Sequence, residues 1–283
     1  MSQEKRFFCL RGYMKSGTNW VCRLLNLHPE IDCIGEFHWE YFFKTMESTL
    51  NTLAPVRRDK IRPVIRKELE EMVRRCLTSF ADPNAKMIGD RTPTTIHPVA
   101  IRDAPHICVV RDCRDIVVSR MFHLFNTPRV TRVFENFPKM AERLENFQED
   151  PWFFRDNPSE LLSHEKVVRR SAKEWTTYLA ADRNTIKQQP HLKVIQVQYE
   201  SFHEAIEEQR KKLYEFLDVD PSLAAPIPEA MMPGHKAEKP NQFFRKGMVG
   251  DWQNYMTDQA REWINIEAGA EMIRQGYIDS MDW

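Results

Sequence analysis

Residues 7–27 constrain this chain more than any other stretch. Phe7-Phe8-Cys9-Leu10-Arg11 reads as an apolar strand and Gly12-Tyr13-Met14-Lys15-Ser16-Gly17 as a glycine-bracketed loop. The run to Leu27 reads as a helix with Val21, Leu24 and Leu25 on its apolar side. Glycines at both ends of the loop let the backbone turn tightly and approach a ligand. A helix opening at Ser16 to Asn19 presents unpaired N–H groups, which suit an anion. Strand, loop and helix together read as a phosphate cradle.

The loop differs from a Walker A in a way that bears on its chemistry. Gly12 and Gly17 have the outer spacing of G-x-x-x-x-G-K-[ST], but Thr18-Asn19 follow where an ATPase places lysine and a magnesium-binding hydroxyl. The lysine sits inside the loop instead, at Lys15. On this stretch alone a variant P-loop kinase and an ordinary strand–turn–helix with an exposed lysine both remain open.

Size and charge narrow the classes. A chain of 283 residues, 42% hydrophobic, can bury a large core, as one α/β domain or two small ones. Lys plus Arg and Asp plus Glu both number 41, so zero net charge gives no general electrostatic case for nucleic acid. No 18-residue apolar run is present, and the N-terminus enters a strand without an apolar leader. The six cysteines (9, 22, 33, 76, 108 and 113) form no CxxC and read as buried thiols. These features predict a cytoplasmic protein without a membrane span. No ligand cluster has metal spacing, so no metal is expected. Oligomeric state is not legible.

Further along, Ile31–Ile34 reads as a second strand. Two carboxylates and a histidine then stand among five aromatics in Glu36-Phe37-His38-Trp39-Glu40-Tyr41-Phe42-Phe43. This is either a binding-site wall or a helix whose aromatic side packs while its acids face water. Ile61, Ile65, Leu69, Met72, Val73 and Cys76 recur at helical spacing. Lys86-Met87-Ile88 reads as a short strand running into polar Gly89-Asp90-Arg91-Thr92-Pro93. His106–Val110 suits a central parallel strand, and a helix follows from Ile116 to about Phe125. Arg111 stands at that strand's carboxyl end, level with the first loop, and Ser119 lies on the helix. Residues 125–165 carry four prolines and many aromatics with weak periodicity, which predicts an irregular cover over a pocket, an interface, or core supplied by loops. A helix over 166–187, a strand over 192–197 and a helix over 202–217 come next. Arg245-Lys246-Gly247 pairs a directional guanidinium with a point charge, a compact anion clamp. Thr257 caps a last helix with Trp263, Ile266 and Ala270 on its packing face. Helices and strands alternate throughout, which favours one α/β domain with a parallel sheet.

Three anion-binding candidates thus stand in fixed order, and their motifs resemble the sulfotransferase family that uses 3'-phosphoadenosine-5'-phosphosulfate (PAPS). Tyr13-Met14-Lys15-Ser16-Gly17-Thr18-Asn19-Trp20 is similar to the family's Y-P-K-S-G-T-T-W loop, with Met14 for proline and Asn19 for threonine. The stretch from Val110 to Ser119 resembles its second motif. Residues 245–257, Arg-Lys-Gly-Met-Val-Gly-Asp-Trp-Gln-Asn-Tyr-Met-Thr, resemble its third. The resemblance implies a single domain over 1–283, a three-layer sandwich with a central parallel sheet and P-loop-like nucleotide binding. It implies that Lys15 contacts the 5'-phosphosulfate and that Ser16, Gly17, Thr18 and Asn19 hold the 5'-phosphate. Trp20 and Tyr199 would lie at adenine, and Arg111, Ser119, Arg245, Lys246 and Gly247 at the 3'-phosphate.

The general base is less directly indicated. Members acting on small phenols and steroids use a histidine in a K-T-H segment, where Arg91-Thr92-Pro93 stands here, so proline occupies that place. Carbohydrate-modifying members place a glutamate after a stretch resembling Leu25–Glu30, and Glu36 falls there. Glu36 is the favoured base and His38 the next, with Asp90, His97 and His123 behind them. The expected acceptor is a hydroxyl, less readily an amine, of a small-molecule, lipid-like or glycoside substrate. An ATP-dependent kinase and a non-catalytic nucleotide-binding protein are the alternatives.

Overall fold

The computed structural model describes residues 4–96, 100–127, 138–235, 238–242 and 245–283. They group into two compact units. The first comprises residues 1–13, 17–110 and 181–231, and the second comprises 14–16, 111–180 and 232–283.

The first unit holds a five-stranded sheet: β1 (Arg6–Gly12), β2 (Ile31–Ile34), β3 (Met87–Arg91), β4 (His106–Val110) and β5 (Val194–Gln198). Its order is β2-β3-β1-β4-β5 with every pairing parallel. Parallel strands are covered on both faces, which explains the near-continuous apolar runs of β1 and β4. On one face Phe8, Leu10, Ile107 and Val109 pack with Val21, Leu24 and Leu25 of α1 (Thr18–Leu25). Phe202, Leu213 and Tyr214 join them. On the other face Phe7, Cys9 and Ile88 meet Trp39, Phe43, Met46 and Leu50, together with Val73 and Leu77. These residues come largely from α2 (Glu40–Leu50) and α3 (Pro55–Phe80). The predicted three layers are therefore present in this unit. Strand order reverses direction between β1 and β4, the place where open α/β sheets bind ligands outside their carboxyl ends.

The second unit contains α4 (Cys113–Phe125), α5 (Pro138–Glu149), α6 (Phe153–Asp156), α7 (Pro158–Leu161) and α8 (Glu165–Gln188) up to Ala180. In the first unit α9 (Tyr199–Glu204) and α10 (Ile206–Phe216) follow β5, and α11 (Asp258–Arg274) closes the second. Phe122, Phe125, Phe147 and Phe154 form an aromatic cluster, with the Phe125 and Phe154 centroids 4.7 Å apart. Trp175 is fully buried and its Nε1–H donates to the Arg111 carbonyl at 3.2 Å.

Several expectations are corrected. The described part of 125–165 is mainly helical, and Phe147 and Phe154 are core, because prolines at 138 and 158 open helices there instead of breaking them. Residues 128–137, with Phe134 and Phe137, lie outside the described residues. Gly89, Asp90 and Arg91 belong to β3 itself. The expected helix over 202–217 is two helices interrupted at Ala205, whose backbone is non-helical. On α11, Ile266 and Ala270 face solvent, and the buried stripe is Ala260, Trp263, Ile264, Ala268 and Met272. The Thr257 cap is as expected, with Oγ1 accepting from Ala260 N–H at 3.1 Å.

Gly89 lies opposite Phe8 in the β1–β3 register, and a Cβ there would come within 2.2 Å of the Phe8 ring. Phe8 is fully buried and cannot withdraw. Gly89→Ala is expected to destabilise the protein by about 1–3 kcal/mol in denaturant titration. Phe8→Leu in the same chain should recover part of that loss. An unchanged midpoint for Gly89→Ala would contradict this packing.

Candidate active site

The loop after β1 is built around two backbone turns. Lys15 has φ +71° and Gly17 φ +91°, and Gly17 is the N-cap of α1. The Gly17 conformation disfavours a side chain, and a Cβ would also meet the Tyr199 ring at 2.4 Å. Gly17 caps α1 with no side-chain hydrogen bond among the described residues, and a helix start of this kind suits an anion. Ser16 is 1% exposed, and its buried Oγ has no hydrogen-bond partner among the described residues. An orphaned buried hydroxyl is costly unless a ligand completes it.

On the first unit's side of the loop, Trp20 donates from Nε1 to the Met231 carbonyl at 2.9 Å. Its ring meets Tyr199, Phe202 and His203 edge-on at 5.4, 5.9 and 5.2 Å. Tyr199 is buried beneath Gly17. The two rings expected at adenine therefore pack together, with Tyr199 as the floor of the turn. Thr18 is buried and Asn19 half-buried at the helix start.

In the second unit Lys15 is held near Arg111, whose Nη1 donates to the Lys15 carbonyl at 3.3 Å and Nη2 to the Met248 carbonyl at 2.8 Å. Burial and the Arg111 charge push the Lys15 ammonium down to about 8. Asp115 pairs with Arg111 at 3.4 Å and accepts from the backbone N–H groups of Gly250 and Trp252 at 2.9 and 3.0 Å. One carboxylate thus joins the second and third sequence motifs. Burial raises its pKa against the opposing pull of Arg111.

Arg245 pairs with Asp251 and Glu238 and lies 4.2 Å over the Phe122 ring. Lys246 Nζ reaches Asp251 at 2.9 Å and Glu238 at 3.5 Å, and Gly247 follows with φ +66°. The two cations are therefore matched by two acids. Burial opposes ionisation of Asp251, but Arg245 and Lys246 together hold its pKa below the ordinary value. Ser119 is half-buried on α4. On the same helix His123 is pushed down to about 4 by burial and by the charges of Lys15 and Arg120.

The remaining candidates lie in the first unit. Arg91 Nη1 donates to Glu36 Oε1 at 2.5 Å, and Glu36 Oε2 lies 3.5 Å from His38 Nε2. His38 Nδ1 is 3.0 Å from Glu40 Oε1. Asp90 is buried, pairs with Arg11 at 3.3 Å and accepts from Thr92 Oγ1. These bonds commit it to holding β1 to β3, which weakens its case as base. Glu36 and His38 are thus brought together, with Arg91 as a neighbour. His97 lies outside the described residues. Asp115 and Asp251 are not singled out by the sequence, whereas Glu40 belongs to the stretch read as a binding-site wall or a packed helix and Arg91 to the polar run after Ile88. The i, i+4 spacing of Arg111 and Asp115 was a usable signal for one of them.

A family model described as a sulfotransferase domain matches residues 6–272. The chain belongs to the sulfotransferase family. Among solved structures, this sulfotransferase is similar to mouse sulfotransferase SULT7A1 complexed with PAP. That match has 18% identity and a TM-score of 0.52, covering 98% of this chain and 86% of that one. It is also similar to a sulfotransferase from Alicyclobacillus acidocaldarius, at 14% identity and a TM-score of 0.46, covering 98% and 96%. A retinol dehydratase in complex with androsterone and PAP matches at 13% identity and a TM-score of 0.47, covering 99% and 83%. A search of curated protein sequences finds no match. The parallel sheet flanked by helices is the fold shared with the mouse enzyme.

The depressed pKa of Lys15 gives a ligand-free check. In competitive acylation across pH, Lys15 should reach half-maximal reactivity near pH 8, ahead of ordinary exposed lysines at about 10.4. A Lys15 profile that tracks the other lysines would show that the ammonium is not desolvated.

Proposed function

We propose that this sulfotransferase moves a sulfuryl group from PAPS to a hydroxyl acceptor without a metal. The observation that carries the donor assignment is the buried Ser16 hydroxyl, which has no hydrogen-bond partner among the described residues, in a loop that also holds a desolvated lysine and leads into a glycine-capped helix. A 5'-phosphate would complete that hydroxyl, and a phosphosulfate would accept from the Lys15 ammonium. Ser16, Gly17, Thr18 and Asn19 hold the 5'-phosphate in this reading, and Trp20 and Tyr199 shape the nucleobase side. Arg111, Ser119, Arg245, Lys246 and Gly247 hold the 3'-phosphate, with Glu238 as the group a phosphate would replace.

Glu36 is the general base. The acceptor O–H proton goes to its carboxylate as the acceptor oxygen bonds to sulfur. The bond from sulfur to the 5'-phosphate oxygen breaks, and Lys15 offsets the charge left on that phosphate. The acceptor class follows from the aromatics beside this carboxylate. Tyr41 and Phe42 are 61% and 51% exposed, and the Tyr41 ring centroid is 5.8 Å from that of His38. Exposed rings of this size suit the apolar body of an aryl, lipid-like or glycoside alcohol. Cytoplasmic residence belongs to the same reading, supported by six cysteines that stand as free thiols.

Calorimetry with 3'-phosphoadenosine-5'-phosphate (PAP), beside ADP and ATP with magnesium, tests the donor. Binding of PAP without metal, and far weaker binding of ADP, is expected. Preference for ATP with magnesium would favour a kinase, and no binding by folded protein would overturn the donor assignment. Glu36→Gln should leave PAP affinity unchanged and lower transfer by about 10²–10⁴-fold. Full turnover by that variant would remove Glu36 as base.

A further inference from the structure

We infer that Glu40 is a positioning residue for the reaction, acting through His38 on Glu36. This rests on the reading of Glu36 as the base. Three observations converge. Glu40 is only 7% exposed, unusual for a glutamate at the first residue of a helix. Its Oε1 lies 3.0 Å from His38 Nδ1, and the opposite ring nitrogen, Nε2, lies 3.5 Å from Glu36 Oε2. His38 itself has φ +54°, a left-handed conformation that costs free energy for any residue with a side chain.

The α2 N-terminus explains why an acid is favoured at residue 40. It does not explain why that acid is buried against a histidine in a strained conformation. An ionised carboxylate can only accept, so the Glu40 contact places a proton on His38 Nδ1. The ring is then fixed, and Nε2 faces Glu36. Arg91 holds the other Glu36 oxygen at 2.5 Å. The Arg91 guanidinium thereby holds Glu36 at Oε1, while His38 Nε2 stands 3.5 Å from Oε2 and donates there when the ring carries a proton on both nitrogens. Orientation of a reacting group is worth orders of magnitude in rate, so a residue that fixes it need not touch substrate.

Selective ¹⁵N-histidine NMR of the ligand-free protein reads the first step. The wild type should show a downfield, exchange-protected imidazole N–H resonance, assigned to His38 by its loss in His38→Gln. Glu40→Gln should lose it or move it upfield, and an identical resonance in Glu40→Gln would overturn the proposal. The second step is a double-mutant cycle with labelled PAPS, using 2-naphthol or, as the slow background acceptor, water. Glu40→Gln should lower turnover by about 10- to 100-fold with PAP affinity changed less than about twofold. In the Glu36→Gln background the same change should cost less than about twofold, because the residues act as a unit. Equal losses in both backgrounds would show that Glu40 acts independently of Glu36. If Glu40→Gln does not fold, His38→Gln, which leaves the carboxylate in place, carries the same cycle. Full activity of Glu36→Gln would remove the base assignment, while the NMR resonance would still decide whether Glu40 holds His38.

Discussion

Burial of β1 on both faces is the constraint from which the rest of the first unit follows. Phe7 and Cys9 face one helical layer, and Phe8 and Leu10 face the other. Between such layers a charge persists only when matched, and Arg11 is matched by Asp90 on β3. Polar chemistry is therefore displaced to the strand ends. Because all five strands are parallel, their carboxyl ends share one edge of the sheet. The chain leaves that edge as the lysine loop after β1, the Glu36 segment after β2 and Arg111 after β4. Arg91 is the last residue of β3.

Charge in the second unit is handled in two opposite ways. Arg245 and Lys246 are matched by Asp251 and Glu238, which fixes their placement. Lys15 is buried near Arg111, and desolvation together with that second positive charge lowers its pKa. A matched cluster holds geometry, whereas a desolvated lysine near an arginine shifts its own proton equilibrium.

The sequence was most readable where one physical requirement fixed the pattern. β2 and β4 were placed to the residue, β4 because a strand buried on both faces must be apolar and short, and β2 because its buried apolar residues alternate along one face. The lysine loop was legible because glycines bracket a polar turn between a strand and a helix. Arg111 was put level with that loop because it ends a parallel strand, and its guanidinium donates to the Lys15 carbonyl. Residues 138–161 misled because proline reads as a breaker, yet Pro138 and Pro158 sit where helices begin. The role of Glu40 was hidden for a different reason. An acid at a helix start is ordinary in a sequence, and only packing shows that it is buried against His38. Asp251 was likewise invisible as a support, since its partners are residues already assigned another role, whereas Asp115 left its i, i+4 spacing to Arg111 as a signal.

The division of the chain has a consequence for its birth on the ribosome. The first unit is complete by residue 231, with every strand in hand, but the second requires segment 232–283 together with the three residues 14–16. Arg111 takes its carbonyl partners from Lys15 and Met248, made near opposite ends of synthesis. In a nascent chain all residues of the five-stranded sheet are therefore made before the Met248 carbonyl that Arg111 bonds. A chain that stopped in that interval would hold the residues of the sheet and lack the later partner of this guanidinium, a difference in chemistry ahead of any difference in strand content.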